Sequence, residues 1–124
     1  MTTPDLVGRK PGQLNLAATQ GDDFALLCEM FDQDDNPIDV TGWTLASQVR
    51  ETYGGALLVE FTVETAAEDV TLNNWEVRLS ADAAQMAEVG EGAWPWDLQR
   101  TAGGPSSKTL LAGTLLVRPD VTEV

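Results

Sequence analysis

Trp75-Glu76-Val77-Arg78-Leu79-Ser80 decides the fold class, because apolar and polar side chains alternate there at every step. Successive side chains of a β-strand point to opposite faces, so Trp75, Val77 and Leu79 share one face while Glu76 and Arg78 share the other. The same period of two recurs upstream in Leu14 and Leu16, in Phe24, Leu26, Cys28 and Met30, in Leu45 and Val49, and in Val59, Phe61 and Val63. Downstream it returns in Trp94, Trp96 and Leu98, where Pro95 predicts an edge position or a bulge because proline cannot donate to a ladder.

Turn chemistry separates these runs. Gly21-Asp22-Asp23, Gly54-Gly55, Asn73-Asn74, Gly90-Glu91-Gly92 and residues 101–107 all read as turns or loops, and residues 32–37, rich in Asp and Asn and ending on Pro37, read as a hairpin loop. Val70-Thr71-Leu72 reads as a short strand of its own. Ser80 reads as a helix N-cap with Asp82 in the first turn, which predicts one short helix near residues 81–89. The final apolar stretch, residues 108–118, carries Leu110, Leu111, Leu115, Leu116 and Val117 on both faces, so that strand is expected to be central or to lie under an interface. Seven to eight short antiparallel strands with one helical turn predict an all-β sandwich or barrel.

Composition sets the class of function. A chain of 124 residues suits one domain, expected here as residues 13–124 behind an extended N-terminal arm of residues 1–12. The net charge of −13 repels phosphate backbones, so nucleic acid is not an expected partner. The arm differs: Arg9 and Lys10 outweigh Asp5, and Pro4 and Pro11 keep it extended. Arg9, Lys10 and Pro11 are therefore the expected partner-binding residues. No apolar run approaches the roughly 20 residues of a membrane span, and no signal-peptide core is present, so neither a membrane nor secretion is expected. Cys28, the single cysteine, sits within an apolar run and reads as a buried small hydrophobe.

The absence of histidine removes the commonest general base and metal ligand, and no enzymatic activity or cofactor is expected. Asp22-Asp23, Asp34-Asp35 and Glu88 with Glu91 are the carboxylate pairs an acid-base mechanism would need, but they fall in loops or helix ends where carboxylates are solvated. Asp32, Asp34 and Asn36 have the spacing that opens a calcium loop, yet Pro37 replaces its glycine and Trp43 its final glutamate, so no metal is expected. Trp43, Trp75, Trp94 and Trp96 supply an alternative function, a carbohydrate- or cell-surface-binding platform, which requires at least two of them exposed on one face.

Several segments, taken in order, resemble small tailed-phage virion proteins related to the N-terminal domain of baseplate upper proteins and to immunoglobulin-like particle modules. They are Gly21-Asp22-Asp23-Phe24, Pro37-Ile38-Asp39-Val40-Thr41-Gly42-Trp43-Thr44, Gln48-Val49-Arg50, Trp75-Glu76-Val77-Arg78-Leu79-Ser80, Trp94-Pro95-Trp96-Asp97-Leu98-Gln99, Leu110-Leu111-Ala112-Gly113-Thr114 and Asp120-Val121-Thr122. The family has Tyr where this chain has Trp96, a conservative departure. The resemblance implies an immunoglobulin-like β-sandwich made in the host cytoplasm and built into a virion as a homo-oligomer. Its partners would be capsid subunits, if it decorates or cements the head, or tail and baseplate subunits, if it adapts a fibre. The chain's end at Val124, soon after its last strand, favours the head surface or a small tail-associated component.

Overall fold

Strands form where the alternation is cleanest, and each buries its apolar side. The computed structural model describes residues 12–31, 34–102 and 108–119. In chain order the elements are β1 (Gly12–Gln13), β2 (Leu16–Thr19), β3 (Phe24–Glu29), β4 (Thr44–Arg50), β5 (Leu57–Thr65), β6 (Glu76–Ala81), α1 (Ala83–Ala87), β7 (Gly92–Ala102) and β8 (Lys108–Arg118).

The strands pair in the order β1-β8-β7-β4-β5-β6-β3, with β2 also on β8. The sheet curls at β5, whose first half pairs with β4 and whose second half, Thr62 to Thr65, pairs with β6. Two faces close on one core, in which Cys28, Val77 and Leu79 of one layer meet Val49, Leu98, Leu115 and Val117 of the other. With β1 and β2 as strand A and the rest lettered in chain order, β4-β7-β8 is the C-F-G sheet and β3-β6-β5 the B-E-D sheet. That is the strand order of the immunoglobulin-like sandwich.

Four expectations need correction. The strands are not all antiparallel, because β1 and β2 run parallel to β8. The hairpin loop read at residues 32–37 closes on an antiparallel bridge between Phe31 and Pro37 but does not lead into a β3–β4 ladder, because the chain then crosses to the other layer and β3 pairs with β6. Residues 70–72 form a turn, since Asp69 Oδ1 accepts from both the amide and the hydroxyl of Thr71 and so outcompetes a ladder. Ser80 is a strand residue paired with Ala25, and the N-cap is Asp82.

That cap is a reciprocal pair: Gln85 N donates to Asp82 Oδ1 at 2.8 Å, and Asp82 N donates to Gln85 Oε1 at 2.9 Å. Substituting Asp82 by alanine is expected to cost about 1 kcal/mol, measured by urea unfolding, with the buried Met86 anchoring what remains of α1.

Pro95 lies one residue beyond the last β4–β7 pair, Val49 with Trp96, and pairs among the described residues with β8 alone, so its missing N–H breaks no second ladder. A register shift between Leu98 and Gln99 makes Leu110 an extra residue in β8, which explains how Leu110, Leu115 and Val117 all reach the core.

Candidate interaction site

The N-terminal segment is strapped to β8 by a fit centred on Gly113. Between β1 and β2 the chain breaks step at Leu14 and Asn15 and passes so close that a Cβ on Gly113 would lie 2.0 Å from the Leu14 carbonyl oxygen. Three hydrogen bonds span the break. Leu14 N donates to Ala112 O at 3.0 Å, Thr114 N donates to Asn15 Oδ1 at 3.1 Å, and the Trp96 indole N–H donates to Leu14 O at 2.8 Å. The parallel ladder then resumes from Leu16 opposite Leu115. Arg9, Lys10 and Pro11 lie outside the described residues, and the strap fixes the point from which they depart, Gly12 opposite Leu111.

Beside the strap, Ala17, Leu116 and Ala93 form a row across β2, β8 and β7. They line a shallow depression of about 410 Å³ with Leu16, Asn15 and Thr114, and Leu116 is 39% exposed. The expectation that the last strand carries apolar groups on both faces corresponds to this row. Elsewhere, the outer face of β3 presents Leu27 and, just beyond its end, Phe31, which are 49% and 44% exposed.

A larger cleft of about 710 Å³ opens between β5 and α1. It exists because β6 leaves the sheet at Ala81 to enter the helix, so that, among the described residues, 57–61 of β5 pair only with β4. Leu57, Leu58 and Glu60 line one side, and Asp82, Ala84 and Glu88 the other. Sequence patterning does not reveal this cleft, because the alternation within β5 is the same whether or not a second neighbour is present.

The four tryptophans do not make an exposed platform. Trp96 is 2% exposed, the Trp94 indole donates to Gly90 O at 2.8 Å, Arg100 covers the ring of Trp43 at 5.0 Å, and Trp75 is half-buried. Asp22, Asp23, Asp34, Asp35, Glu88 and Glu91 are exposed, and among the described residues no group of three or more acidic or sulfur ligands could hold a metal ion. No helix among them is long and apolar enough to cross a membrane. Cys28 is buried, and burial pushes its thiol up to about 11, as expected of a packing residue.

Three carboxylates, Asp39 and Glu68 exposed and Asp69 part-buried, are instead committed to neighbouring amides and hydroxyls. Hydrogen bonds from Thr41 hold Asp39 below the ordinary carboxylate range; Thr65 does the same for Glu68, and Thr71, followed by Arg78, for Asp69. Arg78 and Asp69 also form an ion pair. A carboxyl with a lowered folded-state pKa contributes stability that is present above the unfolded-state value and lost as pH falls through the folded-state value. Urea midpoints are therefore expected to hold from pH 7 down to the ordinary carboxylate range and to fall below it. Asp69→Asn should flatten that fall.

No protein-family model matches the sequence, and no curated protein matches it. Among solved structures the chain is similar to an Ig-like domain from human cDNA, at 14% identity and a TM-score of 0.47, over 100% of this chain and 87% of that one. It is also similar to the second Ig domain of the mouse polymeric immunoglobulin receptor, at 10% identity and a TM-score of 0.43, over 90% and 99% of the two chains. The strand order alone assigns the immunoglobulin-like sandwich to this chain.

Proposed function

We propose that this chain is a structural module of a tailed-phage particle that holds neighbouring subunits together on the head surface or in the tail and baseplate. The observation that carries the reading is the strap on β8. It fixes the departure of a basic arm from an acidic body, next to the outward apolar row of Ala17, Leu116 and Ala93. An arm with Arg9 and Lys10 supplies charge contacts that steer association, and the apolar row supplies area that excludes water. The segments resembling virion proteins, above all Trp94-Pro95-Trp96-Asp97-Leu98-Gln99 and Leu110-Leu111-Ala112-Gly113-Thr114, form the β7–β8 hairpin on which this surface is built. The role is one of binding and scaffolding, which asks for no general base.

Co-sedimentation with particles lacking the protein tests the reading. Wild type is expected to pellet with them, while Arg9→Glu/Lys10→Glu and Leu116→Glu, all outside the core, are expected to bind at least about tenfold more weakly. Undiminished binding by both variants would refute the proposed surface. Labelled electron microscopy of reconstituted particles separates head from tail.

A further inference from the structure

The cleft between β5 and α1 has the construction of a strand acceptor. Among the described residues, 57–61 pair with β4 on one side only, which leaves a row of backbone donors and acceptors facing the cleft. An extended peptide satisfies such a row by adding as one more strand, with a helix as the opposite wall of the groove. Glu60 and Glu88 are exposed at this cleft, and Asp82 adds a third carboxylate although it is occupied in capping α1. The fitting occupant is thus an extended segment bearing positive charge.

The sequence contains one such segment. Arg9-Lys10 is its only pair of adjacent basic residues, and it lies in the stretch ahead of Gly12 that carries a single acid, Asp5. Geometry excludes delivery within one molecule. Gly12 pairs with Leu111, and the register continues through Leu98 and Ser47 to Phe61, so β1 and β5 stand on one row at opposite edges. Four strand spacings separate them, about 19 Å. Arg9 is three residues from Gly12 and can lie at most about 11 Å from it. An added strand would have to place the Arg9 backbone one spacing beyond β5, five spacings from β1, which three residues of chain cannot reach.

We propose that the cleft between β5 and α1 receives residues 1–11 of a second copy of this chain, added as a strand beside residues 57–61 with Arg9 and Lys10 against Glu60 and Glu88. This rests on the reading of the arm as a docking element and names what it docks to. Each copy then offers one arm and one cleft, a head-to-tail contact that closes into a ring or continues as a chain of subunits.

Sedimentation equilibrium of the full chain tests it, with circular dichroism to confirm folding. Wild type is expected to self-associate, more weakly as salt rises. Arg9→Glu/Lys10→Glu and Glu60→Lys/Glu88→Lys are each expected to weaken self-association about tenfold, and the four substitutions combined, or the two variants mixed, to restore it. A monomeric wild type, or charge reversals without effect, would overturn the proposal. Particle binding separates this from the broader reading. If Arg9→Glu/Lys10→Glu abolishes co-sedimentation while Glu60→Lys/Glu88→Lys leaves both co-sedimentation and self-association intact, the arm docks to another subunit and the cleft assignment is wrong.

Discussion

Gly113→Ala is expected to lower stability by about 3 kcal/mol, and the thermal midpoint by about 10 °C, by lifting the N-terminal strap from β8. The added Cβ would lie 2.0 Å from Leu14 O, 2.7 Å from Leu14 C and 3.0 Å from Asn15 Oδ1. Two of these atoms are backbone, so no rotamer change relieves the clash. Either β8 distorts in the middle of the sheet or the strap moves away. Moving the strap is the cheaper course, since β1 and β2 pair over only a few residues while β8 pairs with β7 along most of its length. Hydrogen exchange should then show faster amides in β2 with β7 and β4 unchanged. Thr114→Ala, at the exposed neighbour, should stay within about 0.5 kcal/mol of wild type. Slow β2 exchange in Gly113→Ala would refute the account.

Trp96→Ala should be costlier still, about 3–5 kcal/mol by urea unfolding. Trp96 pairs with Val49 of β4 and Gly113 of β8, is 2% exposed in the core, and holds Leu14 O through its indole N–H. Its loss removes a large buried volume and orphans a carbonyl at once. Trp96→Phe separates the two effects: it keeps most of the volume and should cost about 1–2 kcal/mol, chiefly for the lost hydrogen bond. Since Gly113→Ala already pulls Leu14 away, Trp96→Phe in that background should cost measurably less than it does alone. Full additivity would mean that the indole bond is not part of the strap.

How much of this was legible in the sequence follows from which interactions are local. Alternation located β3 to β8 because burial of one face acts residue by residue: Phe24, Leu26, Cys28 and Met30 all turn inward as read. The cap reads two residues early in the sequence because Ser80 and Asp82 are both good caps, and the pairing of Ala81 with Phe24, which prolongs β6, decides between them. Pairing partners were not legible. Nothing local in Leu14-Asn15-Leu16 says that it runs parallel to a strand about 100 residues later, although Gly113 amid leucines and the polar Asn15 in an apolar run were the available signals. The β5–α1 cleft was hidden for the same reason, being the place where β6 departs. The arm was distinguishable by charge, and Arg9, Lys10 and Pro11 remain outside the described residues.

The parallel course of the strap has a mechanical corollary. The chain enters the parallel pairing of β1 and β2 with β8 beside Leu111 and leaves it beyond Arg118, at opposite ends of the strap. Tension applied ahead of Gly12 and beyond Pro119 therefore slides the two strands past each other. Their hydrogen bonds lie across the pull and share the load together, where an antiparallel terminal pair pulled from one end would open one bond at a time. Forced unfolding is governed by the barrier to the first rupture, so this arrangement resists extension more than its modest pairing suggests. A module gripped at its two termini would behave as a shear-loaded tie.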